Sequence, residues 1–513
     1  MFKLPLQQPC PNYLRTSLQA VCVSIALAAM AACGGGSGSS SSTTPPPPPP
    51  GAQCTIPTGV PSASTTTLGV NTVGPATFMD LHVGQTSDWP TISFGGLRLW
   101  DTGTAWSQVN TADGLYDWTN LDSWVQDGQS HGVDLLYNLA RTPSWASSNP
   151  TDTSCTKSGS TGGPGPGECG PPSDLNADGT GTDQHWINWI TALSTRYKGQ
   201  IKYYEIWNEW NVPLFWSAAA SVQQPQLVRM EQDARCVVEG PPAGLSCNPN
   251  SVFPSGTGID TSAQIVTPSP VGSGYPVANQ GVVASRLGNF FSTTVNGYAG
   301  GQFSDIIGFH GYVGTPSGDN LCPVAENVTS VIDQMDATLN TYGETGKPWF
   351  NTEGGWSKAG EEGFGDQDRQ AAFLARYFLL QRSMGVDRVY WYKWDNPSTT
   401  GGSLWNPVTG ISEAGNVWTE VYNWVTGATL SSACTVSGTV WSCGLSRSGY
   451  QALAVWDASQ DCTNGVCASS TFTVPSGGGY TLYRDLTGAE TSITGTTVPI
   501  SAKPILLETS ALP

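Results

Sequence analysis

Charge is scarce in this chain. Only 12% of its 513 residues are Asp, Glu, Lys or Arg, and 39 acidic side chains outnumber 21 basic ones, for a formal net charge of −18. So few cations exclude nucleic acid and anionic membrane surfaces as partners, because clustered Lys and Arg hold both. Neutral polymers remain open. Histidine is scarcer still, at four residues. No C-x-x-C or H-x-x-x-H spacing occurs, which removes the common zinc frameworks; no metal or cofactor is expected. No internal repeat is present, which removes solenoids and propellers. No apolar run reaches the roughly 20 residues that cross a bilayer.

The longest apolar run, "LQAVCVSIALAAMAAC", ends at Cys33 and follows Lys3 and Arg15. Its length suits the core of a signal peptide. "MAAC" resembles a lipobox, with Met where Leu is more usual. The expectation is a lipoprotein-type signal over 1–33 with Cys33 as the lipidated residue. A Gly/Ser stretch and six prolines follow, a flexible then stiff tether over 34–53. Membrane contact is expected through the lipid alone, with the protein exported and held at a bacterial outer membrane, or else free in the periplasm or secreted. Thirteen cysteines fit an oxidising compartment. Setting aside Cys10, Cys22 and Cys33 leaves ten. Cys155 lies near Cys169, Cys236 near Cys247, Cys434 near Cys443, and Cys462 near Cys467, which leaves Cys54 for Cys322. Spacing favours these pairs without fixing one connectivity. Twenty tryptophans are many for this length; most belong to a core, and the rest suit the flat faces of sugars.

Between about residues 76 and 427, eight apolar strand candidates alternate with amphipathic stretches: "TFMDLHV", "GLRLWD", "DLLYNLA", "KYYEIWNE", "AQIVTPS", "DIIGFHGY", "PWFNTE" and "RVYWYKW". Six helix candidates fall between or after them, several ending on Gly. The alternation predicts an α/β fold, a (β/α)8 TIM barrel over 54–427. From 428 to 513 the period shortens to two, with turns between, which predicts a C-terminal antiparallel β-sandwich domain. "DLNADGTGTD", residues 174–183, starts like a calcium loop. His185 stands where a bidentate Glu belongs, so Asp183 is read as the cap of the next helix.

The fourth strand candidate closes on "IWNEWN". A carboxylate in a buried strand needs a partner or a task. In a parallel barrel, the C-terminal ends of the strands face the active site. Glu209 ends the fourth strand and Glu353, in "PWFNTEGG", the seventh. Two acids facing each other across a barrel mouth are what glycosidic bond cleavage requires. Indoles around Glu209 would desolvate it and keep it protonated.

At these residues the chain resembles the clan A glycoside hydrolases, which carry Asn-Glu at strand four and Glu at strand seven. Within the clan it is most similar to family 39, whose members join a barrel to a β-sandwich. The resemblance covers roughly residues 76–510. It implies a retaining mechanism with Glu209 as acid/base and Glu353 as nucleophile. It implies that Asn208 meets the sugar 2-hydroxyl, that Tyr312 bonds Glu353, that His310 orients the site, and that Arg98 keeps the nucleophile charged. Trp391 and Trp394 end strand eight, where the clan sets a Trp floor under the sugar, a register the sequence does not fix. Asn138 stands where the clan often has His on strand three. The expected partner is an oligo- or polysaccharide, bound by a monomer. The alternatives are a non-catalytic carbohydrate-binding barrel, which would lack one carboxylate, and an adhesion protein, which would not need this set at separate strand ends.

Overall fold

The computed structural model describes residues 78–84, 88–156, 164–217, 220–273, 281–313, 325–356, 366–395, 403–430 and 433–512. Cys33, the tether over 34–53, and the Cys54 and Cys322 pairing lie outside them.

All eight strand candidates form parallel strands: β1 Met79–His82, β2 Gly96–Leu99, β3 Asp134–Leu139, β4 Tyr203–Ile206, β5 Gln264–Val266, β6 Ile307–Tyr312, β7 Trp349–Gly354 and β8 Arg388–Trp391. The sheet runs β5-β4-β3-β2-β1-β8-β7-β6, with the short strand Val271–Ser273 beside β6. A parallel bridge between Val266 and Ile306 brings its two ends together. This curled, helix-covered sheet fits a (β/α)8 TIM-like domain. Inside, Leu136, Tyr203, Val266, Ile306, Phe350 and Tyr390 form one closed apolar layer. Below it, Arg388 lies 3.2 Å from Asp80 and also pairs with Asp134. That floor leaves the opposite end, where the strands finish, as the open mouth.

Among the described residues, seven helices of more than ten residues follow the strands: α1 Thr119–His131, α2 Gln184–Arg196, α3 Ala220–Val238, α4 Val282–Ser292, α5 Asn327–Tyr342, α6 Gln367–Ser383 and α7 Glu413–Val425. Three differences from the sequence reading have local causes. First, α3 was not anticipated. It carries Pro225 in its first turns and buries a polar face, with Arg229, Glu231, Gln232 and Asp233 all inside. Apolar periodicity is therefore weak. Arg229 bonds Asp233 at 2.6 Å and donates to the carbonyls of Gly179, Gly181 and Thr182, which satisfies that face. Second, the segment after α4 is a hairpin, Thr294–Val295 against Tyr298–Ala299. Asn296 (φ 54°) and Gly297 (φ 84°) both take the left-handed conformation that a two-residue turn of this kind needs. Third, Asp183 stands at the N-cap of α2 with no side-chain cap bond. Asp174 does that work, accepting from the backbone N–H groups of Gln184 (2.5 Å) and His185 (3.2 Å). The loop residue that looked like a calcium ligand is thus a helix cap.

After residue 428 the chain builds a six-stranded antiparallel sheet in the order Thr435–Ser437, Val440–Arg447, Tyr450–Asp457, Ile505–Glu508, Leu482–Arg484, Glu490–Ser492. A ribbon of Ser470–Thr473 and Thr497–Ile500 shares a small core with it through Phe472, Val498 and Ile500. Polar anchors tie these strands to α5, α6 and α7. Trp456 donates to Glu326 (2.8 Å), Arg369 pairs with Asp461 (2.6 Å), and Lys503 reaches Asp368 (2.6 Å). Four of the expected disulfides are formed: Cys155–Cys169, Cys236–Cys247, Cys434–Cys443 and Cys462–Cys467.

Candidate active site

The barrel mouth collects side chains from β2, β4, β6 and β7 around one buried arginine. Arg98, on β2, is fully buried. Its Nε donates to Glu205 Oε2 (2.6 Å), its Nη1 to Glu353 Oε2 (2.9 Å), and its Nη2 to Asn208 Oδ1 (2.7 Å). Taking a guanidinium out of water is costly unless its fork is filled, and here every arm has an acceptor. One cation therefore fixes three side chains in a common frame.

The end of β4 explains how a strand delivers two polar residues to a mouth. The regular strand stops at Ile206. Trp207 (φ 60°) and Glu209 (φ 42°) then both adopt the left-handed conformation, unusual for residues with a Cβ. The turn is held from outside: Asn138 Nδ2 donates to Trp207 O (2.8 Å), and Glu209 N–H to Ser269 O (3.1 Å). Glu205, inside the strand, stays below. Asn208 and Glu209 are lifted to the mouth.

On β6, His310 Nδ1 lies 2.8 Å from Glu209 Oε1 and 3.9 Å from Glu353 Oε2. The direction of the first bond follows the tautomer. Burial pushes the imidazole down to about 4, so it is neutral at physiological pH. Tyr312 donates its hydroxyl to Glu353 Oε1 at 2.8 Å. Carboxylate oxygens of Glu209 and Glu353 and a ring nitrogen of His310 all lie within 4.8 Å of one another. Burial pushes Glu353 up to about 7; the neighbouring Glu209 carboxyl adds to the rise, while Arg98 and the Tyr312 hydroxyl oppose it. Behind it, Gly354 packs so close to α6 that a Cβ would meet the Tyr377 hydroxyl at 2.1 Å. A glycine is what lets β7 seat Glu353 here.

The trio Glu209, His310 and Glu353 has the donor types and spacing to hold a metal ion. Arg98 already sets a permanent positive charge against Glu353, so the arrangement is complete as an ion-paired acid pair without one.

Arg98, Asn208, Glu209, His310, Tyr312 and Glu353 thus meet at one place. Asn138 reaches it only indirectly: its amide donates to Glu205 Oε2 (2.8 Å) and supports the turn. Trp391 does not face the mouth. It packs on α6 and the end of β7, with ring centroids 4.8 Å from Trp356 and 5.9 Å from Tyr377 and Phe378. Its neighbours Tyr390 and Tyr392 take the inward register instead. Tyr392 packs on His82 at 5.3 Å and donates to Asp101 (2.6 Å). Trp394 is buried at the rim, stacked on Trp405 at 6.1 Å. The indole N–H groups of "IWNEWN" are turned to other partners. Trp207 donates to Phe215 O (2.9 Å) and meets Trp216 edge-on, and Trp210 donates toward Pro268 O.

Sequence reasoning missed Glu205, a fully buried carboxylate beneath the pair. It also accepts from Ser269 (2.6 Å). Burial raises its pKa, but Arg98 and the hydroxyl donors outweigh that and hold it below the usual carboxylate range. The signal was present: Tyr203, Glu205 and Trp207 alternate on one face of the strand, and an inward Arg98 needed a permanent anion.

No protein-family profile matches the chain, and no curated protein matches it. Solved structures do. A family 39 glycoside hydrolase from the gut symbiont Bacteroides cellulosilyticus WH2 aligns with a TM-score of 0.54 at 15% identity, over 84% of this chain and 80% of that one. A family 39 enzyme from Xanthomonas axonopodis pv. citri aligns at 0.51 and 14% identity, over 88% and 99%. A glucosidase from Croceicoccus marinus aligns at 0.51 and 11% identity, over 87% and 97%. At these identities the likeness is one of fold: the chain shares the fold of these glycoside hydrolases.

Proposed function

We propose that this protein is a retaining glycoside hydrolase acting on an oligo- or polysaccharide, on a (β/α)8 barrel carrying a C-terminal β-sandwich. The observation that carries the reading is the pair of carboxylates within 4.8 Å at the barrel mouth. About 5 Å suits direct attack by one group; an inverting pair stands roughly 6.5–9.5 Å apart to admit a water.

The surroundings differ in a way that divides the labour. Glu353 is gripped by a guanidinium and a phenol, both of which stabilise its anion. It is the nucleophile, forming an ester to the anomeric carbon. Glu209 meets a neutral imidazole, His310 Nδ1, at 2.8 Å. It gives its proton to the leaving oxygen, then takes one from the water that cleaves the ester. Asn208, fixed by Arg98, is positioned to meet the sugar 2-hydroxyl.

Proton NMR of fresh product should show the anomer of the substrate; the opposite anomer overturns the mechanism. The acid limb of kcat/KM should fall near pH 7, where Glu353 takes up its proton. Tyr312→Phe removes a donor that favours the anion, so the limb should move to higher pH. A limb that stays put, or moves down, would take Tyr312 out of this role.

Export and lipid anchoring belong to the same reading, supported by the signal-like run, the tether and four disulfides. Intact-mass analysis of the exported protein should find an acyl group on Cys33 and no free thiol. A start elsewhere, without acyl mass, removes the anchor.

A further inference from the structure

The strand β7 does something a regular strand cannot. Its Phe350 belongs to the interior layer, and its Asn351 turns outward, donating to the Tyr377 hydroxyl and to Gln381 Oε1 on α6 (2.7 Å each). Alternation would then send Thr352 inward and Glu353 outward. Thr352 does go inward: its hydroxyl donates to Ser269 Oγ (3.0 Å), which donates in turn to Glu205 Oε1 (2.6 Å). Glu353 goes inward as well, onto Arg98. Two consecutive residues share one face.

The two ladders explain this. Against β6, Asn351 stands opposite Phe309 and Glu353 opposite His310, so two steps on β7 match one on β6. Against β8, Asn351 stands opposite Val389 and Gly354 opposite Trp391, so three steps match two. Thr352 is the extra residue of a β-bulge, with a register partner on neither side. Presentation of the acid depends on this bulge. Without it Glu353 would face α6.

The extra residue of a bulge loses its place in the ladder, and a buried carbonyl needs a donor. His82 supplies it. This residue ends β1 and is fully buried, and its Nε2 lies 2.8 Å from Thr352 O. A carbonyl only accepts, so Nε2 carries the proton. Burial, with Arg98 adding to it, pushes the imidazole well below its usual range, so the ring is neutral and sets no charge beside Glu353. The ring meets Tyr390 and Tyr392 edge-on, at 6.4 and 5.3 Å, and the His82 carbonyl accepts from Trp394 N–H (2.9 Å). Thus β1 reaches past β8 and grips β7 one residue before the acid.

We propose that His82 is a positioning residue for Glu353: its Nε2–H holds the Thr352 carbonyl and, with it, the bulge that turns Glu353 into the mouth. The proposal rests on the glycosidase reading above and deepens it. His82 acts through Thr352, not on the sugar. Its loss misplaces the nucleophile, while Asn208 keeps its bond to Arg98.

Two variants separate the donor from the ring. His82→Phe keeps a ring against Tyr390 and Tyr392 but has no N–H. His82→Gln sets an amide N–H close to where Nε2 stood. The substrates are dinitrophenyl glycosides of gluco, galacto, manno and xylo configuration, with their 2-fluoro analogues, whose slowly cleaved ester lets the loading step be followed by intact mass. In His82→Phe, kcat should fall about 100-fold, the cost of a misplacement of roughly 1 Å, with KM little changed. Loading per labelled site should slow by the same factor, and Gln should restore most of both. Counting per labelled site leaves unfolded protein out, and His82→Leu takes the place of Phe if that variant does not fold. A donorless variant that loads at the wild-type rate, or a Gln variant no faster than Phe, overturns the positioning role and leaves the glycosidase reading standing. A wild type that neither turns over nor takes the label on any of these sugars counts against the glycosidase reading. Carbon NMR of the Glu353 carboxyl then decides: it should titrate near 7 in the wild type and in His82→Gln and away from that value in His82→Phe. One titration common to all three overturns the positioning role.

Discussion

Replacing Glu353 with Gln should lower kcat on every glycoside by roughly 10⁴-fold or more, the scale seen when a nucleophile that works as part of a unit is removed. The amide is isosteric but cannot attack the anomeric carbon, so no glycosyl ester forms. It also fills the space an external nucleophile would need, so azide should not restore activity. The same substitution should change stability in a way an ordinary structural glutamate would not. Glu353 is pushed up to about 7 in the folded protein, against 4.5 for the ordinary group. Between those values the folded state holds a proton that the unfolded state has lost. Stability then falls as pH rises through that window, by a total of roughly 3 kcal/mol. Gln carries no such proton. The Glu353→Gln protein should match the wild type near pH 4 and melt at a higher temperature than it near pH 8. Parallel melting profiles would show that the site does not strain to hold this anion. Retained turnover would remove Glu353 from the chemistry.

The fold was legible for a physical reason. Strands buried on both faces read as short apolar runs, and all eight such runs became strands. What escaped was polar structure inside the protein. The helix α3 hides its amphipathicity because Arg229, Glu231, Gln232 and Asp233 face inward and are satisfied by backbone carbonyls and hydroxyls from other segments. Partners that distant in sequence leave no local period. Glu205 was overlooked for the same reason, since its need is met by Arg98, 107 residues away. Register was the other gap. Trp391 ends a strand, but the sequence does not say which face it takes, and a shift of one residue exchanges the two faces. Tyr390, in the interior layer, and Tyr392, against His82, occupy the face that looks inward. Strand ends in a parallel barrel converge, so residues far apart in sequence can be brought to one place without knowing any contact.

Replacing Glu209 with Ala should produce the opposite kinetic pattern from the loss of Glu353, and that contrast separates the two carboxylates by chemistry. Without the proton donor, loading of the enzyme depends on the leaving group. A dinitrophenyl glycoside, whose phenolate leaves unaided, should still esterify Glu353. A plain alkyl or sugar leaving group should not. Water then lacks a base, so the glycosyl-enzyme should accumulate and be visible as a mass increment on the intact protein. Azide needs no base, and Ala leaves room where the carboxylate stood, within 4.8 Å of Glu353. It should restore turnover and yield a glycosyl azide of retained configuration, because the ester is opened from the face the leaving group vacated. His310 sharpens the result. Its Nδ1 loses the Glu209 contact at 2.8 Å and keeps Glu353 at 3.9 Å as its nearest carboxylate. A neutral imidazole so placed cannot replace the lost proton donor, so no residual limb with a histidine pKa should appear in the variant. Azide rescue with inverted product would mean that Glu209 is the nucleophile and that Arg98 and Tyr312 hold the acid. Full activity in the Ala variant would move the reaction away from this mouth altogether.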